Sequence, residues 1–128
     1  MEGAYRAYLT CLNERRFDDL DAFVHETITY NGAPMTRTQY GELIAGDVAA
    51  IPDLTFVVDE LVVQDERVFA RLWFDCRPQG RWQGMDADGR RVTFAEHVLY
   101  RFAQGRIAEV WSVIDIESVR RQLASASE

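Results

Sequence analysis

The sequence predicts an α+β fold in which N-terminal helices pack on one face of a curved antiparallel sheet and a short C-terminal helix completes a cone. Three observations predict it. Apolar residues recur at helical spacing between Tyr5 and Val48; from Leu54 the period changes to two; and turn signals then divide the chain into the strands of a meander. A strongly curved sheet closed by helices encloses a cavity, which is where chemistry is expected.

In the first segment Tyr5, Tyr8, Leu9 and Leu12 fall at i, i+3, i+4, i+7, with Arg6, Asn13 and Arg16 elsewhere around the axis, so this is an amphipathic helix. After Arg15-Arg16-Phe17, Asp18 is expected to cap a short second helix running through Phe23 and Val24, its acidic DDLD start suiting the positive end of the helix dipole. His25 would then cap that helix's C-terminus as a cation, or line the mouth of the cone. Thr27 to Asn31 is short and β-branched, and Asn31-Gly32-Ala33-Pro34 turns. Thr36-Arg37-Thr38-Gln39 is a capping box, and Tyr40, Leu43, Ile44 and Val48 form the stripe of a third helix that Pro52 stops.

The strand half reads Leu54 to Val63, a turn at Gln64-Asp65-Glu66, then Arg67 to Cys76. Pro78-Gln79-Gly80 and Asp86-Ala87-Asp88-Gly89 bracket a short strand around Trp82. Arg91 to Phe102 and Ile107 to Ile114 pair across Ala103-Gln104-Gly105-Arg106, and Asp115 caps a last helix through Leu123. Ser125 to Glu128 is expected to fray.

Composition narrows the function. At 128 residues with 48% hydrophobic content, residues 1–128 are expected to form one domain around one core. A net charge of -7 without a basic patch argues against nucleic acid and anionic membranes as partners. All 14 basic residues are arginine, so Schiff-base lysine chemistry is excluded. Cys11 and Cys76 lack CxxC spacing, and there is no signal-like or membrane-spanning apolar run, so free thiols and a cytoplasmic setting are expected. The two histidines are not at HExxH or HxH spacing, and GxSxG, Walker and GxGxxG motifs are missing; neither metal nor cofactor is expected.

The residues Gly80-Arg81-x-x-Gly84-Met85, Arg90-Arg91, Tyr100-Arg101-Phe102-x-x-Gly105-Arg106-Ile107-x-Glu109, Asp115 and Arg121-Gln122-Leu123 follow one another without a gap relative to a known pattern, over about a third of the chain. They resemble the SnoaL-like polyketide cyclases, or ester cyclases, of the nuclear-transport-factor-2-like superfamily. The resemblance implies a cone fold and an intramolecular aldol closure without metal or cofactor. It also implies an aspartate on the last strand as general acid/base, near a histidine on the preceding strand. Those positions fall on Ser112 and Val98, and neither side chain can move a proton as that pair does.

Thr93 to Phe102, TFAEHVLYRF, sets Glu96 beside His97. Successive strand residues point to opposite faces, so the two cannot share a pocket. If Val98 faces the pocket, as the resemblance implies, Phe94, Glu96, Tyr100 and Phe102 face it too, leaving His97, Leu99 and Arg101 outside. Glu96 is then the candidate proton shuttle, its pKa raised by desolvation, with a structural ion pair to an arginine as the competing role. Tyr100 and Ser112 are candidate hydrogen-bond donors. Tyr30 and Asn31 can present a phenol and an amide to a cavity, although a turn explains Asn31-Gly32 equally well.

The expected function is cofactor-independent acid/base chemistry, cyclisation or isomerisation, on a small apolar carbonyl compound. A non-catalytic binding module and an epoxide-hydrolase-like water addition are the alternatives, the latter requiring a second carboxyl near Glu96. A mixed apolar outer face carrying His97, Leu99, Trp111 and Val113 points to a homodimer.

Overall fold

The computed structural model describes residues 1–125. Helix α1 (Glu2–Asn13) buries Tyr5, Tyr8, Leu9, Cys11 and Leu12, the face its spacing dictates. A 3₁₀ helix follows at Phe17–Ala22, and strand β1 (Val24–Tyr30) begins at once. The second helix is therefore shorter and tighter than expected, Asp18 makes no cap, and Val24 already belongs to the sheet. His25 is accordingly a strand residue rather than a helix cap, its Nε2 lying 2.6 Å from the Ala103 carbonyl.

The turn at Asn31-Gly32 is a hairpin, both residues having positive φ (47° and 87°), and it leads into β2 (Ala33–Thr36), a strand the sequence reading missed. Pro34 is tolerated there because β2 is an edge strand whose partner is β1 alone. Thr36 and Gln39 then form the expected capping box of α2 (Arg37–Ala50), whose last residue precedes Ile51-Pro52.

Six strands form the main sheet in the order β2-β1-β8-β7-β4-β3, with β3 at Val57–Gln64, β4 at Arg67–Cys76, β7 at Val92–Ala103 and β8 at Arg106–Ile114. All neighbours are antiparallel except β1 and β8, which run parallel. The sheet is thus not a pure meander: β1, from the helical half of the sequence, is inserted against the last strand. The expected single strand around Trp82 is a separate hairpin, β5 (Gln79–Trp82) and β6 (Met85–Asp88), turned by Gln83-Gly84 with φ of 52° and 74°. Helix α3 (Ile116–Ser125) closes the description, with the Asp115 carboxylate accepting from Ser118 N–H at 3.1 Å. Ser125 is helical; the remaining residues expected to fray, 126–128, lie outside the described residues.

Alternation sets the two faces of the sheet. Val68, Ala70, Leu72, Phe74 and Cys76 on β4, and Val92, Phe94, Val98, Tyr100 and Phe102 on β7, are buried against the helices. Phe69, Trp73, Leu99, Trp111 and Val113 are exposed on the far side. Both cysteines are buried free thiols, Cys11 donating to the Arg16 carbonyl. No helix among the described residues is long and apolar enough to cross a membrane.

The capping box gives a direct test. Thr36→Ala removes an acceptor for Gln39 N–H and should lower unfolding free energy by about 1 kcal/mol in denaturant titration, with an unchanged m-value.

Candidate functional site

The central strand of the inward face carries the chemistry. β7 pairs with β4 on one side and β8 on the other, placing Val98 opposite both Ala70 and Ser112, and Glu96 opposite Leu72 and Ile114. Glu96 and Ser112 are therefore diagonal neighbours on one face, within reach of each other across the strand pair. The Ser112 hydroxyl donates to Glu96 Oε2 in a short contact.

These side chains open into a cavity of about 90 Å³ between the sheet, α1, α2 and the β5–β6 hairpin. Phe94, Glu96, Val98, Tyr100, Ser112 and Tyr30 all line it. Asn31 does not. Its side chain instead straddles the backbone of β8, the carboxamide oxygen accepting from Ser112 N–H at 2.8 Å and the amide donating to the Ser112 carbonyl at 3.3 Å. Asn31 thus extends the parallel β1–β8 ladder by one side chain and holds Ser112 in place. His97 lies on the outer face, where its Nε2 accepts from Arg71 Nε at 3.3 Å and its ring packs beside Phe69. Glu96 and His97 do not share a pocket.

One lining residue was missed from sequence. Asp47, on the inner face of α2, shares the cavity with Glu96 and accepts from the Trp82 indole N–H at 3.1 Å. The signal was present: Asp47 follows Ile44 by three residues and Tyr40 by seven, so it lies on the buried stripe of its own helix. Trp82 arrives from the β5–β6 hairpin, so this bond also ties that hairpin to α2 over the cavity.

Electrostatics follow from what the cavity lacks. Although the chain has 14 arginines, no arginine, lysine or histidine is among the described residues that line it. Burial, unopposed by a cation, pushes the Glu96 carboxyl up to about 7; the Ser112 hydrogen bond works against the rise and the charge of Asp47 adds to it. Burial likewise raises Asp47, against the pull of the Trp82 N–H. All five tyrosines of the chain, Tyr5, Tyr8, Tyr30, Tyr40 and Tyr100, are held above the usual phenol range, chiefly by burial and in part by the charge of Glu96. The cavity therefore offers a proton-exchanging carboxyl near neutral pH, surrounded by phenols that stay protonated.

A family model described as SnoaL-like polyketide cyclase matches residues 2–123. The chain is similar to a SnoaL-like polyketide cyclase from Agrobacterium tumefaciens, whose crystal structure is 43% identical in sequence, with a TM-score of 0.90 and 94% of each chain covered. TsrD from Streptomyces laurentii shares the fold at 24% identity and a TM-score of 0.85, over 97% of this chain and 94% of that one. No functionally curated protein matches the sequence at a significant level.

Two outcomes are expected from this geometry. A carboxyl raised by folding favours the native state below its unfolded pKa, and that contribution is lost as pH rises through the folded value, here from about 4.5 to about 7. Glu96→Gln should therefore gain stability relative to the wild type between pH 5 and pH 8, by up to about 3 kcal/mol, in parallel denaturant titrations. Asn31→Ala, which leaves the Ser112 N–H and carbonyl to find other partners, should cost about 1–3 kcal/mol and broaden the Ser112 amide resonance.

Proposed function

The chain belongs to the SnoaL-like polyketide cyclase family, and from that membership we propose that it catalyses cofactor-independent proton transfer on a small, uncharged carbonyl compound, with Glu96 as the proton shuttle. The observation that carries this reading is a carboxyl inside the cavity, free of any arginine and bonded to Ser112. The family's aspartate position falls on Ser112, so Glu96 brings a carboxylate to that place from the neighbouring strand. A residue two steps along β7 replaces one on β8.

A carboxyl near 7 is matched to taking a proton from a carbon acid and returning it at neutral pH. Desolvation and aromatic walls suit an apolar substrate. The cavity of about 90 Å³ favours a compound smaller than a tricyclic polyketide ester. Cyclisation and isomerisation both begin with the same proton abstraction, and they differ in where the proton returns.

The presence of Asp47 in the same cavity favours one second reading, water addition of the epoxide-hydrolase kind, in which two carboxyls share the activation of one water. The two separate cleanly: a carbon acid exchanges hydrogen for deuterium from solvent on the enzyme, and an epoxide opened by water takes up labelled oxygen.

The exposed strip of Phe69, Trp73, Leu99, Trp111 and Val113, with Val113 at 71% exposure, supports assembly as a homodimer through the outer face of the sheet. The free, buried thiols Cys11 and Cys76 suit a reducing, cytoplasmic setting.

Glu96→Gln should lower deuterium exchange into a small 1,3-dicarbonyl by about 10²- to 10⁴-fold with the circular dichroism spectrum retained. The wild-type rate should rise with pH and reach half its plateau near the Glu96 value of about 7. Exchange that is equally fast in the variant would remove Glu96 from this role. In sedimentation the wild type should run as a dimer, and Val113→Glu should shift it toward monomer; a concentration-independent monomer ends the assembly proposal.

A further inference from the structure

A phenol carries one hydrogen, and its oxygen accepts. The hydroxyls of Tyr8, on α1, and Tyr40, on α2, lie 2.6 Å apart and are buried. Whichever of the two donates, one hydrogen is used in that bond and the other is not. Neither hydroxyl makes another side-chain or backbone hydrogen bond among the described residues, and Glu96 takes its own from Ser112 instead. Both tyrosines line the cavity. A buried donor left without an acceptor is costly, so the spare hydrogen is available to whatever acceptor occupies the cavity, water or the oxygen of a ligand that displaces it.

We infer that the Tyr8–Tyr40 pair is the oxygen-binding subsite of this cavity, donating its spare hydrogen to the carbonyl oxygen of an enolisable ketone or 1,3-dicarbonyl while Glu96 works on the adjacent carbon. The inference rests on the reading of Glu96 as proton shuttle. The ionised Glu96 takes a proton from the carbon next to the carbonyl. The C–H electron pair becomes a carbon–carbon double bond, and the carbonyl π pair moves onto oxygen. The oxyanion so formed is met by the phenol hydrogen, which strengthens as negative charge develops. Glu96, now neutral, no longer repels the enolate beside it. It then returns the proton to a carbon in an isomerisation, or to the oxygen of an attacked carbonyl in a cyclisation.

The surroundings select this ligand. With no cationic side chain among the described lining residues, a substrate bearing a permanent carboxylate or phosphate meets two acids and no partner. The tyrosine pair is backed by other rings, Tyr30 packing 5.9 Å from Tyr40 and Tyr100 lying 6.0 Å from Tyr8, which fixes both phenols. Burial raises both phenols above their ordinary range, so they are protonated donors at neutral pH. Two carboxyls and aromatic walls would also suit an ammonium ion. An ammonium has no lone pair to receive the spare hydrogen, and a carbonyl oxygen does.

The test uses 4-nitrophenolate, a planar oxyanion whose absorption reports binding, on the Glu96→Gln protein, where glutamine stands for the protonated acid. Nitrophenolate should bind, and adding Tyr8→Phe and Tyr40→Phe together should weaken it at least tenfold while leaving the circular dichroism spectrum unchanged. Should that variant not fold, fluorotyrosine incorporated throughout the Glu96→Gln protein acidifies the phenols at constant shape and should tighten binding severalfold. Affinity unchanged by both manipulations overturns the inference. So does preferential binding of 4-nitrobenzyltrimethylammonium, which would make the cavity a cation site. Because no proton is transferred in this measurement, loss of oxyanion binding and loss of deuterium exchange by Glu96 are read independently, and the failure of one is distinguishable from the failure of the other.

Discussion

The register of β7 between β4 and β8 is the constraint on which the cavity depends. Ten consecutive pairs join β7 to β4, from Arg67 opposite Arg101 to Cys76 opposite Val92, and the pairs with β8 hold the other edge. A slip of one residue would send Phe94, Glu96, Val98, Tyr100 and Phe102 outward and bring Ala95, His97, Leu99 and Arg101 in. Such a slip would bury Arg101, now paired with Glu109 at 2.9 Å on the outer side, and strip the core of three aromatic rings. The apolar gain from burying those rings holds the register. The position of Glu96 is a consequence of it.

Once inside, Glu96 is governed by what does not accompany it. Arginines pair at the surface with Glu2, Asp19, Asp59, Asp75, Asp86, Asp88, Glu109 and Glu117. Exposed pairs of that kind contribute little each, and none of these arginines is among the described residues that line the cavity. The cavity carboxyls are thus left to hydrogen bonds from neutral donors, a serine and an indole. Neutral donors stabilise a carboxylate less than a cation does, and that difference lets burial raise its pKa.

The same absence ties dynamics to chemistry. The β5–β6 hairpin is a two-stranded sheet of its own, and it contributes Trp82 and Gln83 to the cavity wall. A lone hairpin is marginal in water and needs packing to persist. Here Trp82 packs on Phe94, with ring centroids 5.3 Å apart, and its N–H reaches Asp47. The residue that brings a second carboxyl to the cavity is thereby also the one that fastens its cover.

Period and turn chemistry by themselves determined the α+β class, the capping box at Thr36 and the opposite directions of Glu96 and His97. Each rests on relations between residues close in the chain, where helix and strand geometry leave one answer. That Glu96 is the inward one was what the family resemblance implied for Val98. The motifs that carry the family resemblance, Gly80 to Leu123, are local in the same sense, although the family relation extends over residues 2–123. Tertiary structure alone decided that β1 lies parallel to β8, that Asn31 clamps Ser112, that Trp82 meets Asp47 across 35 residues and that Tyr8 meets Tyr40 across 32. The reason is physical. A parallel neighbour and a contact between two helices are chosen by how layers close over a core, and no short-range pattern in the chain encodes which buried polar groups that closure will bring face to face.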